Sequence, residues 1–228
     1  MKNLSVSMTR SEMVSGWIYL VLQLLPIPFA LQLFSMFLPS PLSDAELNFI
    51  YFCINFLCTT VIFRKYIIAN IKIAFTSLKK TLISAVCGYA LYWGLAMAVS
   101  LFILAVYPDF INVNDDSISG MLTDSRELML IGTIFLVPVT EELLYRGLIF
   151  RSLYEKNKLL GYVVSVLLFA VLHIMGYIDM YDAFHLFLCF LQYIPAGICL
   201  AWAYVNSDSI VAPILIHISV NAIGMLSM

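Results

Sequence analysis

The chain has 228 residues, of which 62% are hydrophobic and 11% are charged, and its net charge is −2. Soluble domains carry about 25% charged residues, so this composition excludes a soluble globular protein. The near balance of acidic and basic residues gives no strongly basic surface, and we expect no nucleic acid as a partner.

The apolar residues occur in long segments, which predict an all-α, polytopic transmembrane helix bundle of about seven to eight spans. The predicted spans are residues 14–38, 47–63, 82–107, 128–150, 159–175, 183–204 and 210–226. The first span contains Pro26 and Pro28, which predict a kinked or broken helix. An eighth crossing made from this region is the alternative to seven.

A basic segment follows the second predicted span. Lys65, Lys72 and Lys79 repeat every seven residues, while apolar residues such as Ile68 and Phe75 gather on the opposite side. This pattern is typical of a helix that lies on an anionic membrane surface. The alternative is a cytoplasmic loop whose positive charge helps to set the topology.

The Lys and Arg residues concentrate in alternate connections, which in membrane proteins face the cytoplasm. Eleven of the 12 basic residues follow this pattern, all except Arg126: Lys2, Arg10, Arg64, Lys65, Lys72, Lys79, Lys80, Arg146, Arg151, Lys156 and Lys158. We therefore expect an integral membrane protein with a cytoplasmic N-terminus, and the short loops favour a bacterial plasma membrane.

The fourth predicted span is the one with acidic residues deep inside it, in the run V-P-V-T-E-E-L-L-Y-R-G. Charged groups at bilayer depth are costly and usually mark function. Glu142 and Arg146 stand four residues apart with the acid first, the favourable order for an ion pair on a helix. Successive side chains on a helix point about 100° apart, so Glu141 is left to face a cavity as a general acid or base.

Two further pairs have the same spacing of four residues. Phe169 and His173 share one face of the fifth span, and His217 and Asn221 share one face of the seventh. A histidine accepts a proton or binds a metal, and an asparagine offers an N–H group to a developing oxyanion. Each residue alone could be a structural hydrogen-bonding group, but together with Glu141 they predict a site in the bundle core.

In this order the motifs resemble the CaaX protease and bacteriocin-processing family, also called the Abi family, which includes the Ras-converting CaaX endopeptidase. The family pattern is E-E-x-x-x-R, then F-x-x-x-H, then H-x-x-x-N or D, and this sequence meets it without departure. The match covers about residues 128 to 226. It divides the chain into N-terminal transmembrane helices with the basic interfacial segment, 1–127, and a catalytic Abi-type bundle, 128–228.

The resemblance implies a CaaX-type intramembrane endopeptidase of the glutamate type. Glu141 and His173 would activate the attacking water, while His217 and Asn221 would hold the oxyanion. Three residues would support this set: Glu142, Arg146 and Phe169.

The family has also been described as metal-dependent. A zinc ion bound by Glu141, His173 and His217 is therefore the alternative to a reaction without a cofactor. We favour the metal-free mechanism, because the sequence has no H-E-x-x-H helix and adjacent Glu residues cannot both ligate one ion without distorting the helix.

Two other functions would use the same polar residues. A proton- or cation-coupled transporter could relay charge along them, although the repeated halves of many transporters are not evident here. A non-catalytic bacteriocin-immunity membrane protein would keep the bundle without the chemistry. For a protease, the implied partners are membrane lipid and a peptide or lipidated protein substrate; the substrate's identity and the oligomeric state stay open.

Overall fold

A computed structural model describes residues 4–228, and the regular structure of this part of the chain is helical. The helices are α1 (Arg10–Leu24), α2 (Pro26–Met36), α3 (Asp44–Ile62), α4 (Arg64–Thr76), α5 (Leu78–Val106), α6 (Val113–Asp124), α7 (Arg126–Tyr154), α8 (Lys158–Ile174), α9 (Ala183–Ser207) and α10 (Val211–Ser227). Lys2, which the topology prediction used, lies outside the described residues.

The predicted all-α membrane bundle is confirmed. Helices α3, α5, α7, α8 and α9 are each long and apolar enough to cross a membrane, and α1 and α2 together form a sixth candidate span. The seventh predicted span corresponds to α10, which is apolar but has 17 residues, or about 26 Å at 1.5 Å per residue. The protein is therefore an integral membrane protein whose spans follow the predicted order.

The first predicted span is broken, as its prolines indicated. Pro26 begins α2, and the axes of α1 and α2 meet at 44°. With 15 and 11 residues, the two helices are about 22 and 16 Å long, and each is shorter than a hydrocarbon core of about 30 Å. By length, neither helix crosses the core alone, so the pair is one candidate span and not two.

Side chains cap the helices where the chain enters them. Thr9 and Ser43 form capping boxes with Glu12 and Glu46 at the starts of α1 and α3, which satisfies the first free N–H groups of each helix. Glu12 also accepts the backbone N–H of Tyr66 at 2.8 Å, and so fixes the start of α1 against α4.

Helix α7 lies at the centre of the bundle. Buried residues make up 56% of its apolar stretch, against 6% for α5, which faces outward. Leu143, Leu144 and Leu148 of α7 join the main core with residues of α1, α5, α8, α9 and α10. The polar residues of the fourth predicted span are therefore held inside protein, where lipid cannot reach them.

The two ends of the bundle carry opposite charge. We call one end the basic face; its described residues are Arg10, Arg64, Lys65, Lys72, Lys79, Lys80, Arg151, Lys156 and Lys158. We call the other end the acidic face; its residues are Asp44, Glu46, Asp109, Asp115, Asp116, Asp124, Glu127, Asp179 and Asp182. The charge asymmetry used to predict the topology is thus a property of the folded bundle.

The basic segment after the second span is the helix α4. Its buried residues are Tyr66, Asn70 and Ala74, which pack against the bundle. Ile68 and Phe75 point outward and are 67% and 74% exposed. An exposed apolar strip beside lysines suits the membrane interface, and the surface location of α4 stays a prediction.

Candidate active site

Glu141 lies between two π-helical stretches of α7, and Glu142 begins the second. These stretches are Gly132–Leu136 and Glu142–Phe150, and Glu141 ends the short α-helical turn between them. Insertions of π-helical turns are frequent at functional sites because they re-aim side chains and loosen the regular backbone ladder. The sequence analysis did not predict them.

Glu142 and Arg146 form the predicted ion pair. Arg146 Nη1 lies 2.8 Å from Glu142 Oε1, and both side chains are fully buried. The Arg146 guanidinium also lies over the ring of Phe169, 4.4 Å from its centroid. Through Arg146, the acidic motif of α7 is connected to the F-x-x-x-H motif of α8.

His217 joins the two glutamates. Its Nδ1 lies 2.9 Å from Glu142 Oε1, and because a carboxylate accepts hydrogen bonds, we assign the proton of this bond to Nδ1. Its other ring nitrogen, Nε2, lies 3.9 Å from Glu141 Oε2. Glu142 thus orients His217 as well as pairing with Arg146, a connection that the sequence analysis did not predict.

His173 is oriented by its own helix. Its Nδ1 lies 2.7 Å from the carbonyl oxygen of Phe169, which can only accept, so the proton is on Nδ1 and Nε2 keeps its lone pair. The imidazole stacks on Tyr193 with ring centroids 4.2 Å apart and contacts the ring of Phe169 at 4.5 Å. The spacing of F-x-x-x-H therefore provides both the packing and the hydrogen bond that hold this histidine.

Asn221 bonds the irregular part of α7. Its side-chain Nδ2 donates to the Thr133 carbonyl at 2.9 Å. Within this stretch the Val137 N–H bonds five residues back, to the Gly132 carbonyl, so the next such donor for Thr133 would be Pro138, which has no N–H. One N–H of the Asn221 amide is thus used structurally, and the second remains for the oxyanion role that was predicted.

The predicted residues converge on one cavity of about 1110 Å³. Five of them line it: Glu141, Phe169, His173, His217 and Asn221. The Glu141 side chain is 21% exposed, whereas that of Glu142 is fully buried. This difference agrees with the prediction that Glu141 faces a cavity while Glu142 and Arg146 support it from behind.

Several polar atoms around the cavity are buried and have no hydrogen-bond partner among the described residues. They include Glu141 Oε2 and the hydroxyls of Thr133 and Thr140. Buried polar groups are nearly always bonded, so a cluster of unbonded ones indicates a place for water or a polar ligand. The cavity is therefore equipped to receive a polar group beside Glu141.

The alternative zinc set was Glu141, His173 and His217. In the part of the chain that the structure describes, no three His, Cys, Asp or Glu side chains are arranged to hold one metal ion. The residues present therefore do not fit this group as it was predicted, and we derive no step through a metal.

The sequence analysis did not identify Tyr193, Thr133 or Thr140 as part of the site. Tyr193 lies on α9, and no motif connects it to His173. The one local signal for Thr133 is Pro138, five residues further on in a transmembrane segment. His185 does not line the cavity; its Nε2 bonds the Ile111 carbonyl.

Comparison with known proteins adds an independent finding. Residues 124–223 match a family model described as type II CAAX prenyl endopeptidase Rce1-like. A curated relative, the UPF0177 protein YxdF of Lactococcus lactis, is 31% identical over 107 residues, which are 47% of this chain and 52% of the relative. The match thus spans about half the length of that relative. No solved structure matches the chain.

Proposed function

We propose, from the match of residues 124–223 to the Rce1-like family model of type II CAAX prenyl endopeptidases, that the protein hydrolyses a peptide bond of a membrane-associated substrate within its cavity. The observation that carries the proposal is the meeting of three motifs, from α7, α8 and α10, on one cavity. Independent packing choices on three helices would not place a carboxylate, two imidazoles and an amide on the same wall.

In the proposed reaction a water molecule lies between Glu141 and His173. Glu141 accepts one water proton, and His173 Nε2 accepts a hydrogen bond from the other, which orients the oxygen toward the substrate carbonyl carbon. The new C–O bond forms a tetrahedral intermediate, whose collapse breaks the C–N bond. Glu141 then delivers its proton to the leaving nitrogen, so one water is consumed for each bond cleaved.

His217 and the second N–H of Asn221 are proposed to stabilise the oxyanion. His217 needs a proton on Nε2 to donate to it, and the imidazolium this creates is stabilised by the Glu142 carboxylate on Nδ1. Arg146 pairs with Glu142 and holds its carboxylate in place. The supporting pair thus acts on the reaction through His217.

The walls of the cavity suit a membrane-associated peptide. A volume of about 1110 Å³ exceeds that of ordinary small-molecule pockets, which are about 300–1,000 Å³. Trp93 of α5 lines the cavity and is 40% exposed on the outward side of the bundle. Such an apolar rim supports a membrane-associated peptide or lipidated protein as the substrate class.

The transporter hypothesis is less well supported. A charge relay would need polar groups on both sides of Glu141. Between the cavity and the basic face lie Phe63, Leu148 and Phe150, which are fully buried and do not line the cavity. Hydrolysis needs access from one side alone.

The test is cleavage by the purified protein in lipid nanodiscs, with Glu141→Gln and Glu127→Gln compared. Glu127 is on the same helix, exposed and outside the cavity, so the same chemical change serves as the control. Matched peptides with and without a C-terminal farnesyl group are the probes, and products are identified by mass spectrometry.

We expect Glu141→Gln to lower the cleavage rate by at least about 100-fold, the lower range for loss of a general acid–base. Glu127→Gln should stay near the wild-type rate. Retention of more than a few per cent of activity by Glu141→Gln would remove Glu141 from the role of base.

A further inference from the structure

The wall of the catalytic cavity carries charge of one sign. Four carboxylates line it, those of Asp44, Asp115, Asp124 and Glu141, and no Lys or Arg of the described chain does so. Nor is any of the first three paired with a basic side chain within the described residues. At Asp44, Asp115 and Asp124 the cavity therefore has a negative potential that no Lys or Arg of its described wall neutralises.

The cavity opens at the acidic face. Its rim includes Asp44, Asp115 and Asp124 together with Gly120 and Gly176, all of them exposed. These residues lie at or near the ends of α3, α6 and α8 that are remote from the basic face. The same cavity thus connects Glu141 with the acidic face.

The opposite end is closed by tightly packed side chains. Phe63, Tyr66, Leu148, Phe150 and Tyr204 are each at most 1% exposed, and none of them lines the cavity. The hydroxyls of Tyr66 and Tyr204 are bonded to each other at 2.6 Å in this layer. Entry from the basic face would require opening a close-packed core.

A second feature points to a ligand in the passage. Thr133 and Thr140 line the cavity, are 8% and 5% exposed, and have unbonded hydroxyls among the described residues. Thr133 is seven residues inside α7 and Thr140 fourteen, so they lie about 10 and 21 Å from the acidic face. They are spaced to bond an extended peptide on its way to Glu141.

We propose that the active site is entered from the acidic face, on the extracytoplasmic side of the membrane, and that it selects peptide segments with positive charge beside the cleaved bond. The side follows from the basic face, because Lys- and Arg-rich ends face the cytoplasm. The charge preference follows because a cleft of one sign with low-dielectric walls concentrates ligands of the opposite sign. The peptide selectivity rests on the proposed function, whereas the side and the potential do not.

The first test measures access and potential without needing any cleavage. In a variant whose five native cysteines are replaced by alanine, Ala196→Cys places one thiol on the cavity wall, about 20 Å from the start of α9. Membrane-impermeant methanethiosulfonates, one with a trimethylammonium group and one with a sulfonate, are applied to spheroplasts and to inverted vesicles. The rate of thiol modification is the readout.

We expect modification in spheroplasts and not in inverted vesicles. The ratio of the cationic to the anionic reaction rate, divided by the same ratio for a small free thiol, should be about ten, the lower range for such focusing. The combined substitution of Asp44, Asp115 and Asp124 by Asn should bring the ratio to within about twofold of one. The matched control replaces Asp109, Asp116 and Asp179, which change the charge of the same face equally but do not line the cavity. Modification from the cytoplasmic side alone, or equal loss in both triple variants, would overturn the proposal.

The second test uses cleavage. Two peptides that differ in having Lys or Glu beside the scissile bond are compared by kcat/KM in nanodiscs. The Lys peptide should be preferred about tenfold, and the preference should be lost in the lining triple variant but kept in the control. Asp115→Asn against its neighbour Asp116→Asn repeats the comparison if the triple variant does not fold.

The outcomes of the two tests separate the two proposals. If the thiol at position 196 is modified as expected but no peptide is cleaved, the endopeptidase proposal is refuted and the extracytoplasmic entrance still stands. Cleavage that depends on Glu141 but prefers the Glu peptide would retain the endopeptidase and refute the charge selectivity.

Discussion

Removing the buried Arg146 should destabilise the bundle more than removing any charged residue on its surface. Both partners of the pair are fully buried, and their closest atoms are 2.8 Å apart. At an effective dielectric constant of about 20, this separation corresponds to an attraction of about 6 kcal/mol. Arg146→Met leaves Glu142 as a buried carboxylate with His217 as its remaining partner, and we expect a loss of about 3–5 kcal/mol in the free energy of unfolding.

A double variant tests the cause of that loss. Glu142→Gln with Arg146→Met removes both charges, and the Gln carbonyl can still accept from His217 Nδ1. Because most of the penalty comes from an unpaired buried charge, the double variant should recover more than half of the stability lost in Arg146→Met. It should remain inactive, since a neutral Gln does not stabilise a protonated His217.

The assay is unfolding by titration with sodium dodecyl sulfate in mixed micelles, followed by tryptophan fluorescence. Lys156→Met is the control, because it removes an exposed cation of the basic face and should change stability by less than about 0.5 kcal/mol. A wild-type midpoint for Arg146→Met, or a double variant less stable than either single variant, would refute the account of the pair.

Three further outcomes are expected. Asn221→Ala should cost about 1–3 kcal/mol of unfolding free energy, since the Thr133 carbonyl loses its donor, and should also slow cleavage; unchanged melting would contradict the role of this bond. A cysteine at Asp115 should be labelled by an impermeant maleimide from outside, and a cysteine at Lys156 from inside. Labelling of both from the same side would show that no single span separates them. Incubation with a zinc chelator, followed by removal of the chelator, should leave the cleavage rate unchanged. A loss of cleavage that added zinc restores would instead support the zinc-dependent mechanism.

The parts of the site that could be predicted from sequence are those set within one helix. Glu142 and Arg146 are neighbours wherever the helix lies, because residues four apart share a face. The same holds for His173 and the Phe169 carbonyl. Local spacing therefore predicted the ion pair and placed Phe169 and His173 on one face, although it did not predict the hydrogen bond to the Phe169 carbonyl.

Contacts between helices could not be predicted in this way. His217 and Glu142 are 75 residues apart in the chain, and their bond depends on the rotation of α10 against α7. In a soluble protein, the apolar face of a helix turns toward the core, which constrains the rotation of that helix. Lipid is as apolar as a helix surface, so the hydrophobic pattern of a transmembrane helix carries little information about its rotation. The stacking of Tyr193 on His173 was missed for the same reason.

The π-helical stretches of α7 explain why the motif lies where it does. A transmembrane helix can release a backbone carbonyl only if protein supplies another donor. At Thr133 that donor is Asn221, and so the last residue of the third motif completes the backbone of the helix that carries the first. The irregular turn at Thr133 and the side-chain amide of Asn221 thus depend on each other. The sequence motifs alone do not show this dependence.

The hydrogen bonds of the two histidines determine what the cavity can receive. Each Nδ1 proton is taken, one by the Glu142 carboxylate and the other by the Phe169 carbonyl. When His173 is neutral, its Nε2 atom and the Glu141 carboxylate are both acceptors, whereas His217 is the donor in the proposed mechanism. The molecule that satisfies such a set must donate protons, and water is the smallest one with two to give. The wall therefore favours a water with both hydrogens bound and its oxygen lone pair free, which is the state needed for attack on a carbonyl carbon.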